Sequence, residues 1–338
     1  MSRRTSVVML AYGDEPYLHS AVASVLASSG VELELVLVDN GCTSDAVATL
    51  PEHPGLRVLR PGRNLGFTGG VNLGAREARY ESLTLVNSDA VVEPETLSRL
   101  LDRLAEPGTG IAGALVLLAD EPGTINSAGN PLHLLGLSWA GSMGRPASSQ
   151  TTVHEVASAS GACLSIDREL WDDLGGFPDA YFAYLEDLEL SWRAWQHGRR
   201  VVVVPDAVVH HHYEFSRSPL KMYLVERNRL LFLLTVHQRR TLLVLAVPLL
   251  AFEAAITAVA VSQGWGRQKL RGWRWLAGNL RWVRERRRVV QATRTVPDRE
   301  LVRLLTDRFD PVQLPMPAAA APLERVLQGY WRLVRRHL

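Results

Sequence analysis

The stretch TSVVMLAYGDEPYLHSAVASVLASSGVELELVLVDN, residues 5–40, contains two short apolar runs on either side of a helical pattern. Residues 5–11 and 33–39 are rich in β-branched side chains and end in polar residues, which is typical of buried strands. Between them, apolar residues recur at helical spacing from Leu18 to Leu26. A strand, a helix and a second strand in this order predict a βαβ unit with parallel strands.

The rest of the first 210 residues continues this alternation. Strands are expected at 56–60 and 82–87, with a helix at 70–79 between them. Further along, the pattern predicts helices at about 167–174 and 183–197 and a strand at 200–205. The fold class is therefore α/β with a mostly parallel sheet.

Polar residues follow three of the predicted strands, and ligands of parallel sheets bind beyond the carboxyl ends of the strands. These polar groups are Tyr12-Gly13-Asp14, Asn87-Ser88-Asp89 and Asp39-Asn40-Gly41. The same edge of the sheet is thus the expected binding site.

Composition bounds the class of protein. The chain has 338 residues, 47% of them apolar, which is enough for a large domain and a smaller one. Net charge is only +2, but between Ser262 and Arg294 ten Lys and Arg stand against one acid. Cys42 and Cys163 are the only cysteines, without metal-ligand spacing, which favours a reducing compartment. The N-terminal apolar run is about five residues long, shorter than the roughly 7–15 of a secretory signal.

Four glycines stand in RNLGFTGGVNLG, residues 63–74. Glycine permits close backbone approach, so a phosphate or a sugar could lie against such a loop. A flexible turn before a helix is the plainer interpretation. The motif is neither a Walker A loop nor the GxGxxG dinucleotide fingerprint.

Three other polar motifs each allow two interpretations. Asp89 follows an apolar strand, where a carboxylate suits a hard cation, although Asn-Ser-Asp is also ordinary turn chemistry. Asp39 either accepts a hydrogen bond from a nucleobase or ribose, or caps a helix over 43–50. Three consecutive histidines, 210–212, follow a strand, where alternate side chains share a face. One metal ligand is therefore expected there rather than three.

The stretch AYLEDLELSWR, residues 183–193, places three acids among apolar and aromatic side chains. On a helix, Glu189 precedes Arg193 by four residues, the spacing of an ion pair. Glu186 and Asp187 point about 100° apart, so they cannot play the same part. The spacing alone leaves open which of these two acids does chemistry.

Taken together, these segments resemble the inverting glycosyltransferases of family 2, which have the GT-A nucleotide-sugar-binding fold. The resemblance covers about residues 1–230. It rests on VVMLAYGDEPYLHSAVASVL, LVLVDNGCTSD, RNLGFTGGVNLG, LVNSDA, ASGACLSIDRELWDDLGGFPDAYFAYLEDLELSWRAWQHG and VVPDAVVHHHYEFSRS. The chain is most similar to the rhamnosyl- and galactofuranosyltransferase-like branch of bacterial surface-glycan enzymes. This implies transfer from a dTDP-rhamnose- or UDP-hexose-type donor to a glycan or lipid-linked hydroxyl.

The resemblance also assigns roles to residues on the acceptor side. Asp187 matches the catalytic base, which takes the acceptor proton during an inverting displacement. Glu186, Tyr184 and Trp192 are the expected acceptor-binding or supporting residues. Aromatic neighbours would partly desolvate Asp187 and raise the pKa of its carboxyl group.

On the donor side, Asp89 matches the last residue of the DxD-type metal motif of the family. Asn87 stands at the first position of that motif, a departure that leaves one carboxylate. His211 matches a histidine on the metal or diphosphate side, with His210 and His212 as alternatives. The implied cofactor is Mg²⁺ or Mn²⁺. The residues expected to bind the nucleotide sugar are Ala11, Tyr12, Asp39, Arg63, Asn64, Gly69, Gly70 and Asn87.

The apolar stretch 241–261 is long enough to cross a bilayer, but it contains Pro248 and Glu253. Basic residues on both sides conflict with a single span, and Trp and Arg at helical spacing over 265–288 favour a helix on an anionic membrane surface. We expect monotopic attachment at the cytoplasmic face of a bacterial inner membrane, with 241–261 as a shallow or re-entrant helical hairpin. A single transmembrane helix and a soluble helical subdomain are the alternatives.

Three regions are predicted. Residues 1–220 form the GT-A catalytic domain, 221–309 a helical membrane-associating region, and 310–338 a Pro-rich linker with a C-terminal amphipathic helix. No nucleic-acid partner is expected.

Two competing functions are a nucleotidyltransferase and a non-catalytic nucleotide-sugar-binding or scaffold protein. A nucleotidyltransferase would need a basic phosphate-binding loop at the positions that Asp14 and Glu15 occupy. The second would tolerate the loss of Asp187 or Asp89, and both are present.

Overall fold

The computed structural model describes residues 3–213, 218–310, 313 and 321–338. The chain forms two compact units. The first comprises Met1–Asn130, Ala140–Ala194 and Arg199–Phe215, and the second comprises Pro131–Trp139, Trp195–Gly198 and Ser216–Leu338. The three-region division at 220 and 309 stays a prediction.

The first unit is built on one large β-sheet. The strands of the described residues are β1 (Arg4–Gly13), β2 (Glu32–Cys42), β3 (Leu56–Leu59), β4 (Ser82–Val86), β5 (Ala90–Val92), β6 (Thr109–Leu118), β7 (Ile125–Ser127), β8 (Leu132–His133), β9 (His154–Glu155), β10 (Cys163–Asp167), β11 (Arg200–His211) and β12 (Leu305–Thr306). The sheet order is β3-β2-β1-β4-β10-β6-β11-β5, with β7 beside β6 and β9 beside β11. Strands β8 and β12 pair in the second unit.

Four of the seven neighbouring pairs along this order run parallel, as predicted for a mostly parallel sheet, while β7 and β9 pair antiparallel at its sides. Strands β1, β2, β3 and β4 are parallel to one another, and β6 is parallel to β11. Strand β10 is antiparallel to both β4 and β6, so β4, β6 and β11 point the same way. The carboxyl ends of β1, β2, β4 and β11 therefore lie at one edge of the sheet.

The described helices are α1 (Leu18–Leu26), α2 (Gly66–Glu77), α3 (Thr96–Leu104), α4 (Arg168–Leu174), α5 (Glu186–Gln196), α6 (Pro219–Val236), α7 (Arg239–Ser262), α8 (Gly266–Gly278), α9 (Leu280–Thr293), α10 (Asp298–Leu301) and α11 (Ala321–Val334). Helix α2 begins four residues before the predicted start at 70. Residues 43–50, considered above as a helix, form turns instead.

The alternation of strand side chains explains how the helices pack. Val7 and Met9 of β1 belong to the main apolar core, together with Leu18 and Val22 of α1. Val8 points to the other face, where Gly74 of α2 leaves room: a Cβ at position 74 would lie 2.4 Å from Val8 Cγ1. Glycine here allows the helix to approach the sheet closely.

The second unit is mainly helical in its described part, from α6 to α11. Helix α7 is one continuous helix of 24 residues with Pro248 inside it. The predicted hairpin within 241–261 is therefore wrong. Apolar side chains form helix throughout the segment, and Pro248 does not break it.

Candidate active site

The parallel register brings the predicted polar motifs to one edge of the sheet. Ala11 pairs with Asp39 near the carboxyl ends of β1 and β2. His211 pairs with Ala90, so the end of β11 lies beside the turn that contains Asp89. Gly161, just before β10, lies at the same edge because Cys163 pairs with the end of β4.

Asp39 has a partly exposed carboxylate at the end of β2. Its Oδ1 accepts hydrogen bonds from the Cys42 and Gly41 backbone N–H groups at 3.1 and 3.4 Å, and its Oδ2 lies 3.8 Å from Arg60 Nε. These bonds fix a turn, so Asp39 caps no helix. Tyr12 beside it is 59% exposed. The Ala11 side chain is buried in the core, so only its backbone could contact a nucleotide.

The glycine-rich motif is not a loop. Gly69 and Gly70 lie inside α2, and a Cβ at position 70 would lie 2.5 Å from Leu10 Cδ2. Gly70 therefore allows α2 to pack closely on β1, and its role in nucleotide-sugar binding stays a prediction. Asn64 Oδ1 accepts the Gly66 backbone N–H at 2.7 Å at the start of the helix.

A groove of about 770 Å³ lies beside the start of α2. Its lining includes the predicted residues Arg63, Asn64 and Gly69, and it adds Arg60 and Arg76. Three guanidinium groups line the groove against two carboxylates, Glu77 and Asp179, so the charged side chains leave an excess of one positive charge. Among the described residues that line it, neither Asp89 nor Asp187 is present.

Asp89 and His211 lie next to each other, outside this groove. His211 Nε2 lies 3.1 Å from Asp89 Oδ1, and His211 Nδ1 lies 3.0 Å from Asn126 Oδ1. An amide oxygen only accepts, so the Nδ1–H donates to Asn126 and Nε2 faces the carboxylate. At this distance Nε2 either donates a proton to Asp89 Oδ1 or shares a cation with it.

This geometry fits a divalent cation. Two ligands at 2.0–2.1 Å and a right angle lie about 3 Å apart, and a metal-bound histidine commonly donates its other N–H to a polar group such as Asn126. Within the described residues, no cluster of three or more His, Cys, Asp or Glu side chains is arranged to hold a metal. The protein pair therefore needs further oxygen ligands from a substrate, as is usual for Mg²⁺ beside phosphates.

The three histidines divide as the strand pattern predicts. His210 Nε2 lies 3.2 Å from Glu93 Oε1, away from Asp89. His212 stacks on Tyr17 with ring centroids 3.7 Å apart. His211 is the histidine beside Asp89. Asn87, at the first position of the motif, is partly buried and uses its backbone N–H to bond Ala162.

Glu15 is a site residue that the sequence reasoning missed. Its Oε1 accepts the Tyr12 backbone N–H at 2.6 Å and the Ser88 hydroxyl at 3.0 Å. It therefore ties the loop after β1 to the turn that carries Asp89. Burial raises the pKa of the Glu15 carboxyl group, against the effect of these two hydrogen bonds. Its position directly after a strand end was the only signal in the sequence.

Glu15→Ala is expected to lower the free energy of unfolding by about 1–3 kcal/mol, because two donors lose a buried acceptor. It should also weaken nucleotide-diphosphate binding by moving Tyr12 and Ser88. Glu15→Gln keeps an acceptor oxygen and is the matched control, expected to bind nearly as the native chain does. Urea unfolding and nucleotide titration measure both effects. If Glu15→Gln lowers stability and nucleotide binding as much as Glu15→Ala does, the charge of Glu15 is responsible and the two hydrogen bonds are not.

Asp187 lies at the start of α5, after a strained turn. Phe182 has φ +63° and ψ −55°, and the Ala183 N–H donates to the Tyr181 carbonyl, which makes a γ-turn. Tyr184 and Leu185 also have positive φ, at 71° and 65°. Such conformations are costly for residues other than glycine and cluster at functional sites.

The surroundings of Asp187 suit a base. Its Oδ2 accepts the Gly161 N–H at 3.1 Å and its Oδ1 accepts the Leu188 N–H at 2.8 Å. Burial nonetheless raises the pKa of the Asp187 carboxyl group, as predicted. Burial and the Asp187 charge raise the pKa of Glu186 to about 8. Glu186 Oε2 is buried without a hydrogen-bond partner among the described residues, so we interpret Glu186 as a protonated neighbour.

The other residues of this segment differ in how exposed they are. Tyr184 is 37% exposed, so its ring is open to a ligand. Trp192 is 1% exposed on the inner face of α5, so of the two roles predicted for it, acceptor contact and support of the site, burial favours support. Glu189 and Arg193 form the predicted ion pair at 2.8 Å, and both are buried. Arg193 also donates to the carbonyls of Leu174 and Gly176, so the pair is structural.

The sheet order, with polar residues at its carboxyl edge, is that of the GT-A fold. Solved structures with this fold include GalNAc-T7 with UDP, GalNAc and Mn²⁺ (TM-score 0.59, 18% identity, 70% of this chain and 48% of that chain). Another is the mannosyltransferase PcManGT of Pyrobaculum calidifontis with GDP-Man and Mn²⁺ (TM-score 0.54, 18% identity, 87% and 86%).

The model of the glycosyltransferase-like family 2 matches residues 3–232, and the chain belongs to this family. It is 29% identical over 236 residues to the N-acetylglucosaminyl-diphospho-decaprenol L-rhamnosyltransferase of Mycobacterium tuberculosis. That match covers 62% of this chain and 76% of the relative. The predicted enzyme class, family and fold are thereby confirmed.

Proposed function

We propose that the chain transfers a sugar from a nucleoside-diphosphate sugar to a hydroxyl of a glycan or lipid-linked acceptor, with inversion, in bacterial cell-wall or surface-polysaccharide synthesis. The donor is of the dTDP-rhamnose or UDP-hexose type. One observation carries this proposal: a desolvated carboxylate, Asp187, and the Asp89–His211 pair occupy the same edge of the sheet. The relative from Mycobacterium tuberculosis is named as a rhamnosyltransferase of N-acetylglucosaminyl-diphospho-decaprenol, which is a lipid-linked sugar.

Asp187 acts as the general base. The acceptor hydroxyl gives up its proton while its oxygen attacks the anomeric carbon, and the bond to the diphosphate breaks on the opposite face. A carboxylate with a raised pKa holds that proton better than an exposed one. Tyr184 offers an open ring for stacking on an acceptor sugar, and protonated Glu186 adds no second charge beside the base.

Asp89 and His211 would hold Mg²⁺ or Mn²⁺, which when bound would supply positive charge beside the departing diphosphate. Asn126 fixes the His211 ring through Nδ1. Asp39, Tyr12 and the arginine-lined groove receive the nucleoside.

In this proposal the chain attaches to the cytoplasmic face of the inner membrane through its second unit. Helix α7 is long and apolar enough to cross a membrane by length and composition, and only 6% of its most apolar part is buried. Peripheral attachment and a single transmembrane helix are the two forms that this association can take.

A panel of nucleotide sugars, assayed with and without Mn²⁺, tests the donor class. A correct donor at about 100 times its Kd should stabilise the fold by about 2.7 kcal/mol, which thermal unfolding detects, and the effect should require the metal. Donor hydrolysis in the same samples gives a second signal. If no nucleotide sugar produces a metal-dependent response, the proposed reaction is wrong, and a scaffold or binding role takes its place.

A further inference from the structure

One face of α7 is apolar and exposed along almost the whole helix. Its largest members are Leu243, Val247, Leu250 and Val261, which are 76%, 72%, 71% and 68% exposed. Together with exposed Ala254 and Ala258 on the same face they form what we call the α7 stripe. From position 243 to position 261 it extends about 27 Å. It contains no charged residue.

The opposite face of α7 is covered by protein. Leu245 is buried in a cluster with Trp331 of α11, and Leu249 and Phe252 pack against the same cluster. The Tyr330 hydroxyl donates to the Val244 carbonyl. Helix α7 is therefore fixed to its own unit along one side, and its other side remains uncovered by the described residues.

The acid in this apolar helix is neutralised inside the unit. Glu253 Oε1 lies 2.6 Å from Lys269 Nζ and accepts the Trp273 indole N–H at 2.7 Å. Glu253 Oε2 lies 2.5 Å from Arg229. Glu226 of α6 bonds both cations, at 3.1 and 2.5 Å. Two acids and two bases thus tie the middle of α7 to α6 and α8.

Helix α8 continues the apolar surface and adds positive charge. Leu270 and Trp273 are 42% and 36% exposed, and Trp273 lines a groove of about 700 Å³ with Leu250, Ala254 and Val261 of α7. Arg267, Arg271 and Arg274 are exposed on the same helix. An apolar surface with tryptophan, bordered by arginine, matches the interface of an anionic membrane in both polarity and charge.

We propose that the α7 stripe, with Leu270 and Trp273, docks into one leaflet of a bilayer that carries anionic headgroups, and that α7 lies along the membrane plane. This inference rests on the proposed membrane position and selects between its two forms. A tangential helix buries its apolar face in the acyl region while the arginines of α8 reach phosphate groups.

The contacts of Glu253 argue against a transmembrane orientation of α7. They hold the middle of α7 at the level of Lys269 and Trp273, next to three exposed arginines of α8. If α7 crossed the bilayer, those arginines would lie near the centre of the hydrocarbon region, where arginine is strongly unfavourable. If α7 lies in the plane, the same arginines stand among the headgroups.

Vesicle flotation of the full chain tests the surface. Binding is expected with phosphatidylcholine–phosphatidylglycerol vesicles and much less with phosphatidylcholine alone. Val247→Asp with Leu250→Asp should lower binding at least about tenfold, and Arg267→Gln with Arg271→Gln and Arg274→Gln should lower it by about 10²-fold on anionic vesicles. Val326→Asp is the matched control: Val326 is 70% exposed on α11, outside the stripe, and should bind normally.

A labelling experiment tests the orientation. In a Cys42→Ser background, Arg240→Cys and Ser262→Cys place thiols at the two exposed ends of α7, while Cys163 is buried. In inside-out inner-membrane vesicles, a membrane-impermeant maleimide should label both ends. Protection of one end until the vesicles are lysed would show a span and overturn the proposal.

Other outcomes also decide the matter. If the Val247 and Leu250 variant loses self-association and keeps flotation, a second copy of the chain covers the stripe. If binding follows added nucleic acid and not lipid, the arginines serve another partner. Metal-dependent stabilisation by a nucleotide sugar is measured on the same proteins. Its absence would contradict the catalytic proposal, whereas a loss of flotation alone would contradict the docking surface.

Discussion

Asp187→Asn is expected to lower the rate of sugar transfer by about 10²–10⁴-fold, the usual contribution of a general base. The amide keeps the shape of the carboxyl group and can still accept the Leu188 N–H, but it cannot take a proton. Nucleotide-sugar binding should persist, because the donor is expected on Asp39, Asp89 and His211. Single-turnover transfer and donor titration separate the two effects. Near-normal turnover would remove Asp187 from its role.

A pH profile distinguishes loss of the base from a local distortion, since Asn also disturbs the bond to the Gly161 N–H. Burial raises the pKa of Asp187, so native activity should fall, as pH decreases, at a pH above the ordinary value of 3.8. This acid limb belongs to the pair with Glu186, because adjacent carboxyl groups titrate together. The Asn variant should lack the limb. Glu186→Gln, which mimics a protonated carboxyl group, should keep transfer within about tenfold.

Asp89→Ala should remove the metal response of the donor site. The ion contributes several kcal/mol of charge stabilisation when bound, which corresponds to a loss of about 10²–10³-fold in transfer at 1.36 kcal/mol per factor of ten. His211→Ala should act in the same direction. The measurement is Mn²⁺-dependent thermal stabilisation by a nucleoside diphosphate, which does not require turnover.

His210→Ala is the matched control for this prediction. It removes an imidazole from the neighbouring position of the same strand, but that ring bonds Glu93 and not Asp89. Its metal response should equal that of the native chain. If His210→Ala and His211→Ala lose the metal response equally, the loss comes from disruption of the strand end and not from removal of one metal ligand.

The sequence predicted those parts of the site that depend on local pattern. Asp39 and Asp89 follow predicted strands and lie at the predicted edge of the sheet, because parallel strands bring their carboxyl ends together whatever their exact register. The catalytic and binding roles of Asp39, Asp89 and Asp187 stay predictions. The i, i+4 pair of Glu189 and Arg193 was predicted for the same reason, since helical spacing alone sets it.

The features that the sequence could not give depend on which side of an element faces the core. Trp192 and Gly70 both face inward, which only tertiary packing decides. Glu15 and Asn126 act through long-range bonds, to Ser88 and to His211, that no local pattern predicts. The predicted hairpin in 241–261 was wrong because the segment forms one helix that continues through Pro248.

The γ-turn at Phe182 has a consequence for how this sequence can change. Its carbonyl oxygen accepts the Thr68 N–H at 3.1 Å, and a Cβ at position 66 would lie 2.5 Å from the Phe182 ring. Gly66 itself has φ +74°, so both space and backbone require glycine. The glycine-rich motif and the turn before Asp187 are thus coupled by direct contact despite their distance along the chain. A side chain at position 66 would require a different turn before Asp187 as well.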